Sequence, residues 1–383
     1  MPKKKVMAVF GTRPEAIKMA PVVQALRSSN ELSTVVAVTA QHREMLDQVL
    51  DIFGIIPDYD LNIMQEGQSL SQITIRTLSG LEEVLEKEKP DLILVHGDTS
   101  TTFAGALCGF YHRVQVGHVE AGLRTRDKYS PYPEEMNRRL AGCLSDIHFA
   151  PLATHKDNLV REGTPCDSIH ITGNTVIDAL LDIAGMPFEF TLPELASIDY
   201  LNRKVVLVTA HRRENLGEPL RRICWAIKRL VETRPDIEVV WPVHMNPAVR
   251  DDVFQILSDM PRIRLLDPVD YQTMVGLMSR CYLVLTDSGG LQEEAPSLDK
   301  PVLVLRDVTE RPEGVDAGTL AVVGTDEERI ITFTQRLLDD ANEYRKMSEA
   351  PNPYGDGQAA LRIRDAILWR FGLVPEKPVD FQG

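Results

Sequence analysis

The chain has 383 residues, about 2.5 times the roughly 150 residues of a typical domain, so two domains are expected and a single small module is excluded. Its composition, with 43% hydrophobic and 26% charged residues, is that of an ordinary globular protein that can bury two cores. The formal net charge of −14 argues against a general nucleic-acid binder or membrane-surface binder, but it allows a small anionic ligand in a local basic cleft.

Targeting and metal-binding patterns are weak in this sequence. No apolar run approaches the roughly 18 residues of a membrane span, and the run Val6–Phe10 after the basic start is too short for a signal peptide. The five cysteines are scattered without a CxxC pair, which predicts reduced thiols in or near the core of a cytoplasmic protein. The nine histidines show no ligand spacing such as HExxH, so no metal site is predicted.

Short runs rich in Val, Ile and Leu alternate with longer helical patterns along the chain. Most of the runs are apolar on both faces, which is typical of a parallel sheet covered by helices. Helical periodicity fills the stretches between them, for example Glu15–Ser28, Ser71–Glu88 and Leu220–Thr233. This alternation predicts an open, doubly wound α/β sheet, and it occurs twice. The predicted strands are Val6–Phe10, Thr34–Thr39, Leu92–His96, Val114–Val119, Ile147–Phe149, Ile169–Ile171, Val205–Thr209, Ile237–Val243, Ile263–Leu266, Tyr282–Thr286, Val302–Leu305 and Leu320–Val323.

The two halves begin alike, each with an apolar strand that leads into a polar loop and then a helix. The loops are Gly11–Glu15 in the first half and Ala210–Asn215 in the second, and a poorly periodic stretch with two prolines, Met186–Pro193, lies between the halves. Ligands of open α/β sheets bind at the carboxyl ends of the strands. We therefore expect two domains that face each other across a cleft lined by those ends.

The loop Asp287–Glu294 follows a predicted strand directly and opens a helix. Its serine and two glycines would let a phosphate approach hydroxyl and backbone donors at a helix N-terminus, and its last carboxylate could accept from both ribose hydroxyls. The alternative is a glycine-rich cap whose acidic first turn only complements the helix dipole. The candidate binding residues of this loop are Ser288, Gly289, Gly290 and Glu294.

Basic side chains follow other predicted strands. Arg13 lies in the first loop and has two equally good interpretations. It either points at a phosphate or is a solvated side chain beside a capped helix. The cluster His211–Arg213 places three potentially cationic groups at one strand end, which suits a diphosphate. Arg311, in a later strand-end loop, could add a donor, whereas His244 is ordinarily a satisfied loop histidine.

Three acids also follow strands of the first half. Glu120 ends an apolar strand, where a carboxylate is costly to bury without a purpose. Asp98 and Glu134 have the alternative interpretation of helix-capping residues. If the three gather in a dehydrated cleft they should raise one another's pKa, as a general acid or base near neutral pH requires.

Taken together, these motifs resemble those of the bacterial non-hydrolysing UDP-N-acetylglucosamine 2-epimerases, in order and over nearly the whole chain, from about residue 6 to residue 370. The resemblance implies a GT-B fold of two Rossmann-like domains, which we place at residues 1–172 and 173–359, with the C-terminal helical segment 360–383 packed back on the first domain. The matching segments are Val9–Lys18, His96–Thr99, Gly117–Arg124, Pro133–Glu135, His211–Glu214, Asp287–Glu294 and Glu310–Glu313.

The resemblance also implies an activity. The family interconverts UDP-N-acetylglucosamine and UDP-N-acetylmannosamine by eliminating UDP to leave a 2-acetamidoglucal and adding UDP back with carbon 2 inverted. Its members act as homodimers without a metal or nicotinamide cofactor. Their product supplies N-acetylmannosamine units for cell-envelope polysaccharide. Carried over by position, the catalytic residues are Asp98, Glu120, Glu134 and His211, and the substrate-binding residues are Arg13, Lys18, Ser288, Gly289, Gly290, Glu294 and Arg311. The sequence does not decide which carboxylate removes the proton.

Many bacterial members bind a second UDP-N-acetylglucosamine as an activator. Gln41, Glu134, Arg212 and His244 fit that pattern, but Glu44 stands where a glutamine is usual and Gly67 where an arginine is usual. Since a lost cation and a gained carboxylate disfavour a dianionic ligand, activation is expected to be weakened.

Three other functions remain compatible with the sequence. A GT-B glycosyltransferase would use the same UDP-sugar but needs an acceptor pocket. A hydrolysing epimerase would release free N-acetylmannosamine. A non-catalytic UDP-sugar sensor would keep the nucleotide site, but it has no need of the three acids that this chain retains.

Overall fold

The computed structural model describes residues 2–40 and 43–383, without the side chains of residues 44 and 45. The chain forms two compact units. Unit 1 comprises Met1–Ala179 and Tyr354–Gly383, and unit 2 comprises Leu180–Pro353. The sequence pattern places these boundaries after residues 172 and 359 instead.

Each unit is built around a parallel β-sheet. Over the described residues the sheet of unit 1 has seven strands and that of unit 2 has six, and every strand pairing is parallel. The strands are β1 (Lys4–Phe10), β2 (Leu32–Val38), β3 (Tyr59–Asp60), β4 (Leu92–His96), β5 (Gln115–Val119), β6 (Ile147–Ala150), β7 (Ile169–Ile171), β8 (Lys204–Thr209), β9 (Ile237–Pro242), β10 (Ile263–Leu266), β11 (Leu283–Thr286), β12 (Val302–Val304) and β13 (Leu320–Val322).

Helices connect the strands, and α16 returns to unit 1, where it packs on α1. The division between the units falls inside α7. The α-helices of the described chain are α1 (Arg13–Arg27), α2 (Arg43–Ile52), α3 (Leu70–Glu88), α4 (Ser100–Tyr111), α5 (Glu134–Leu144), α6 (Ala153–Arg161), α7 (Thr175–Ala184), α8 (Pro193–Ala196), α9 (Glu218–Thr233), α10 (Pro247–Leu257), α11 (Tyr271–Arg280), α12 (Gly289–Glu294), α13 (Pro312–Ala317), α14 (Glu327–Asp339), α15 (Ala341–Ser348) and α16 (Ala359–Arg370).

The two sheets share one strand order. Unit 1 runs β3-β2-β1-β4-β5-β6-β7 and unit 2 runs β10-β9-β8-β11-β12-β13. The order therefore reverses between β1 and β4 in unit 1 and between β8 and β11 in unit 2. The loops that follow these paired strands diverge to opposite faces of the sheet, which leaves a crevice at their carboxyl ends.

Burial on both faces explains why the apolar runs became strands. Every residue of β4 is buried, and so are five of the six residues of β8. The largest fully buried side chains include Phe10 and Phe149 in unit 1 and Trp241 in unit 2. All twelve predicted strands are confirmed to within two residues at each end, whereas β3, with two residues, was missed.

Two smaller expectations turn out differently. The thiols of Cys143 and Cys166 are exposed rather than in or near the core, because both lie on solvent-facing positions outside the sheets. The other three cysteines are buried, and all five are free thiols. Among the described residues, no helix combines the length and the apolar character that a membrane crossing requires.

Gly122 shows how tightly the strand-end loops pack. Its φ of +93° lies in the left-handed region, and a Cβ there would lie 2.3 Å from the backbone oxygen of His155 in α6. Gly163 has the same φ of +93°, but a Cβ there would have no atom within 4 Å. Substitutions at Gly122 and Gly163 therefore distinguish the cost of backbone strain from the cost of a steric clash.

We predict that Gly163→Ala costs about 1 kcal/mol of stability through backbone strain alone. Gly122→Ala should cost about 3 kcal/mol or more, because the backbone of α6 must also move. Urea denaturation of both variants measures the difference. Equal losses would mean that the contact with His155 is unimportant.

Candidate functional site

A buried carboxylate holds the loops together at the strand reversal of unit 1. Glu15, in the first turn of α1, is 2% exposed. It accepts hydrogen bonds from the backbone N–H groups of Gly11 (3.0 Å) and Thr12 (2.8 Å) in the loop after β1. It also accepts from the Thr99 hydroxyl (2.7 Å) in the loop after β4. Because buried donors need acceptors, this one side chain fixes both loops.

The loop after β1 leaves no room for a side chain at its first residue. A Cβ on Gly11 would lie 1.8 Å from the Thr39 hydroxyl and 3.0 Å from that of Thr101. Arg13, the next residue but one, is half-buried, and its guanidinium has no ion pair with any described residue. The structure therefore leaves Arg13 available for an anion.

Glu120 and Lys18, which the sequence analysis assigned to one site, are in direct contact. The two side chains form an ion pair, and they are 16% and 20% exposed. His96 Nε2 lies 3.3 Å from Glu120 Oε2. Glu120 also has a φ of +62°, a conformation that only surrounding packing maintains in a non-glycine residue. Lys18 is therefore a mostly buried, paired side chain rather than a solvated one on the helix surface.

The expectation of a raised pKa is wrong for Glu120. Burial by itself would raise the pKa of this carboxyl, but the charge of Lys18 and the contact with His96 lower it well below its ordinary value. The neighbours that decide the direction are a cation and an imidazole rather than other acids. Glu120 is therefore ionised at neutral pH.

Asp98 is paired rather than capping a helix. Its carboxylate lies 2.6 Å from the Arg138 guanidinium of α5, and the N-cap of α4 is Thr99 instead. Arg138 also lies 3.5 Å from Glu135, which is fully buried and accepts from the backbone N–H of Thr125 (2.9 Å). No sequence motif indicated a role for Arg138, and only its i,i+3 spacing from Glu135 is a sign of charge pairing.

Glu134 begins α5, and its Oε2 atom is buried without a hydrogen-bond partner among the described residues. The same side chain is a candidate for both the catalytic site and the activator site.

Of the other activator candidates in unit 1, Gln41 lies outside the described residues. Gly67 is exposed, and nothing lies within 4 Å of where its Cβ would be.

In unit 2 a second buried carboxylate occupies the strand reversal. Asp287, directly after β11, is fully buried. Its Oδ2 atom accepts from the backbone N–H groups of His211 (2.8 Å) and Arg212 (2.8 Å) after β8 and from the Asn215 side chain (2.9 Å). The loop of predicted cations is thus fixed to the glycine-rich loop.

Two guanidinium groups converge on the glycine-rich loop. Arg212 and Arg311 each come within 3.7 Å of where a Cβ on Gly289 would lie. Arg212 donates to the Asp287 carbonyl (3.3 Å), and Arg311 forms an ion pair with Glu293. Two fixed cations beside an accessible backbone suit a diphosphate.

Glu294 lies at the end of α12 and is 6% exposed. Tyr271 of α11 donates a hydrogen bond to its Oε1 atom (2.9 Å). Its Oε2 atom lies 3.4 Å from where a Cβ on Gly290 would be, and the Ser288 hydroxyl lies 3.8 Å from the same point. Serine, glycine and carboxylate are therefore grouped as predicted, and Tyr271, which no sequence pattern indicated, orients the acid.

His211 and His244, which follow β8 and β9, are stacked. Their ring centroids are 5.2 Å apart and their planes differ by 10°. His244 Nδ1 accepts a hydrogen bond from the backbone N–H of Asn246 (3.1 Å). His244 is therefore more than an ordinary loop histidine, because its ring forms one wall of the His211 environment.

Three other side chains of unit 1 come together in a way that residue spacing could not show. Glu82 and Glu86 of α3 and His112 after α4 have ligand atoms within 4.8 Å of one another, and both glutamates are exposed. They lie away from the strand-end loops. Exposed acidic groups of this kind are common without an ion.

Comparison with known proteins agrees with these features. The model of the UDP-N-acetylglucosamine 2-epimerase family matches residues 24–368. The UDP-N-acetylglucosamine 2-epimerase of Bacillus subtilis is 54% identical over 383 residues, which is 100% of both chains. The crystal structure of the Neisseria meningitidis enzyme bound to UDP-GlcNAc has a TM-score of 0.82 and 49% identity, covering 95% of this chain and 100% of that one. The Methanocaldococcus jannaschii enzyme in complex with UDP-GlcNAc and UDP has a TM-score of 0.75 and 34% identity, covering 95% and 99%.

The two parallel-sheet domains are of the GT-B-like class, as predicted. The chain belongs to the UDP-N-acetylglucosamine 2-epimerase family.

We predict that Glu15→Gln lowers stability by about 2 kcal/mol or more, because an amide directs its own donors at the buried N–H and hydroxyl groups. Glu83→Gln, at an exposed position of α3, is the matched control and should be neutral. Thermal denaturation of the two variants gives the comparison. A neutral Glu15→Gln would mean that the loops hold themselves without the carboxylate.

Proposed function

We propose that this protein interconverts UDP-N-acetylglucosamine and UDP-N-acetylmannosamine by inverting carbon 2 of the sugar. The observation that carries the proposal is Glu120, an ionised carboxylate held at a strand end between Lys18 and His96. Membership of the family and the UDP-GlcNAc-bound Neisseria relative support it. Proton removal at carbon 2 needs a positioned base of this kind.

Unit 2 would bind the UDP portion. In this proposal the diphosphate contacts Arg212, Arg311 and the backbone at Gly289–Gly290, and His211 lies beside it. Glu294, oriented by Tyr271, accepts from the ribose hydroxyls. Fixed cations at the diphosphate lower the energy of the negative charge that develops as UDP departs.

Unit 1 would carry out the chemistry on the sugar. A carboxylate takes the proton from carbon 2, the electron pair of that C–H bond forms the double bond between carbons 1 and 2, and the bond from carbon 1 to the UDP oxygen breaks. In the second half of the reaction UDP adds back to carbon 1 and a proton is delivered to the other face of carbon 2. Asp98, Glu120 and Glu134 supply the acid and the base, and Lys18 and Arg138 hold two of them.

Four finer properties remain predictions. We infer a homodimer and a cytoplasmic location from the family and the free thiols. We also infer a weakened activator site at Gln41, Glu134, Arg212 and His244, because Glu44 stands where a glutamine is usual and Gly67 where an arginine is usual. Product use in cell-envelope polysaccharide follows from the family alone.

Turnover in deuterium oxide, followed by proton NMR, tests the proposal. We expect UDP-N-acetylmannosamine to appear while deuterium enters carbon 2 of both sugars, because the abstracted proton exchanges with solvent. Free N-acetylmannosamine plus UDP would instead indicate a hydrolysing enzyme. An unchanged spectrum from protein that binds UDP would contradict epimerisation and favour a transferase or a sensor.

We predict that Glu120→Gln lowers kcat by at least about 100-fold, because the amide can neither accept the proton nor balance Lys18. UDP affinity, measured by calorimetry, should stay within about threefold, since unit 2 binds the nucleotide. Glu162→Gln is the control, because it also removes an acid of unit 1 that is paired with a basic side chain, in this case Arg124. Near-normal turnover of Glu120→Gln would remove Glu120 from the mechanism.

A further inference from the structure

Asp287 has one carboxylate oxygen that the fold does not use. Its Oδ2 atom accepts three hydrogen bonds from the loop after β8, which accounts for the structural role of the residue. Its Oδ1 atom is equally buried and has no hydrogen-bond partner among the described residues. The His211 Nδ1 atom lies 3.6 Å away from Oδ1. A buried acceptor without a donor is unfavourable, so this oxygen calls for an explanation.

The surroundings of His211 leave one edge of its ring free. The side chain is 38% exposed, one face stacks on His244, and Nδ1 is turned toward Asp287. His244 Nδ1 accepts from a backbone N–H, so it carries no proton there. The charged or titratable groups around the ring are therefore Asp287, His244 and Arg212. The remaining ring nitrogen, Nε2, is on the opposite edge from Asp287.

We propose that Asp287 is a positioning residue that keeps the Nδ1 atom of His211 protonated and so presents Nε2 to the diphosphate of the substrate. This inference rests on the proposed UDP-sugar epimerase function. The 3.6 Å separation is longer than a hydrogen bond, and a ring shift of less than about 1 Å closes it, as occurs when catalytic contacts tighten on ligand binding.

The arrangement makes the charge of His211 depend on the ligand. Burial lowers the pKa of His211, and the adjacent His244 and Arg212 act in the same direction, whereas Asp287 raises it. The free site therefore holds a neutral imidazole. The negative charge of a bound diphosphate favours the protonated form, which then donates a hydrogen bond from Nε2 to the departing UDP while Asp287 stabilises the imidazolium.

NMR of protein labelled with ¹⁵N-histidine reads the tautomer directly. The nine histidines are resolved by long-range proton correlation, and His211 is assigned by the signal that disappears in His211→Gln. In the wild-type protein we expect the proton on Nδ1 of His211. A wild-type protein with the proton on Nε2, both free and with UDP bound, would overturn the proposal.

The Asp287→Asn variant tests the consequence for turnover. Its amide oxygen can replace Oδ2, and its NH₂ group then faces Nδ1 and moves the ring proton to Nε2. We expect kcat to fall by about 10²- to 10⁴-fold, as happens when an aspartate that fixes a catalytic histidine becomes asparagine. KM should change by less than about tenfold, because the binding cations remain.

Asp252→Asn is the matched control, since Asp252 is another mostly buried aspartate of unit 2. It lies on α10 and pairs with Arg221 of α9. It should leave the His211 tautomer and kcat unchanged. Asp287→Asn with the wild-type tautomer, or with wild-type kcat, would contradict the proposal. If that variant does not fold, the wild-type tautomer decides. If the wild-type protein binds UDP but does not epimerise, the proposed function fails while the tautomer measurement still stands.

Discussion

The carboxylate at each strand reversal is the interaction on which the candidate residues of each unit depend. Where β1 and β4, or β8 and β11, end side by side, the backbone N–H groups of the following loops have lost their ladder partners. Glu15 and Asp287 supply the missing acceptors, and each joins one loop to the other. A charged acceptor is effective here because hydrogen bonds to an ionised group are about twice as strong as neutral ones.

The two units use this common frame for different chemistry. In unit 1 the fixed loops hold carboxylates against cations, as in the pairs Lys18–Glu120 and Arg138–Asp98. In unit 2 the fixed loop after β8 brings Arg212, and the loop after β12 brings Arg311, around a glycine that allows close approach. The overall charge of −14 therefore coexists with two guanidinium groups at the glycine-rich loop, where a diphosphate would bind.

The sequence predicted what depends on local pattern and missed what depends on contacts between distant segments. Runs that are apolar on both faces reveal buried strands, but β3 has only two residues and therefore no period to detect. The positions of Asp98 and Glu120 just after strands were predictable, because a run that is apolar on both faces shows where a strand ends. The partner of each acid was not, since Arg138 is 40 residues from Asp98 and Lys18 is 102 from Glu120. For the same reason the direction of the Glu120 pKa shift was predicted wrongly.

The lowered pKa of Glu120 bears on how a weakly acidic C–H bond can be broken. An ionised Glu120 is always ready to accept a proton, but its low pKa makes it a weak base as long as Lys18 and His96 stabilise its charge. A bound sugar that draws the Lys18 ammonium toward its own oxygen atoms would withdraw that stabilisation and raise the basicity of Glu120. The ion pair would then keep the base ionised in the free protein and make it stronger only when the substrate is present.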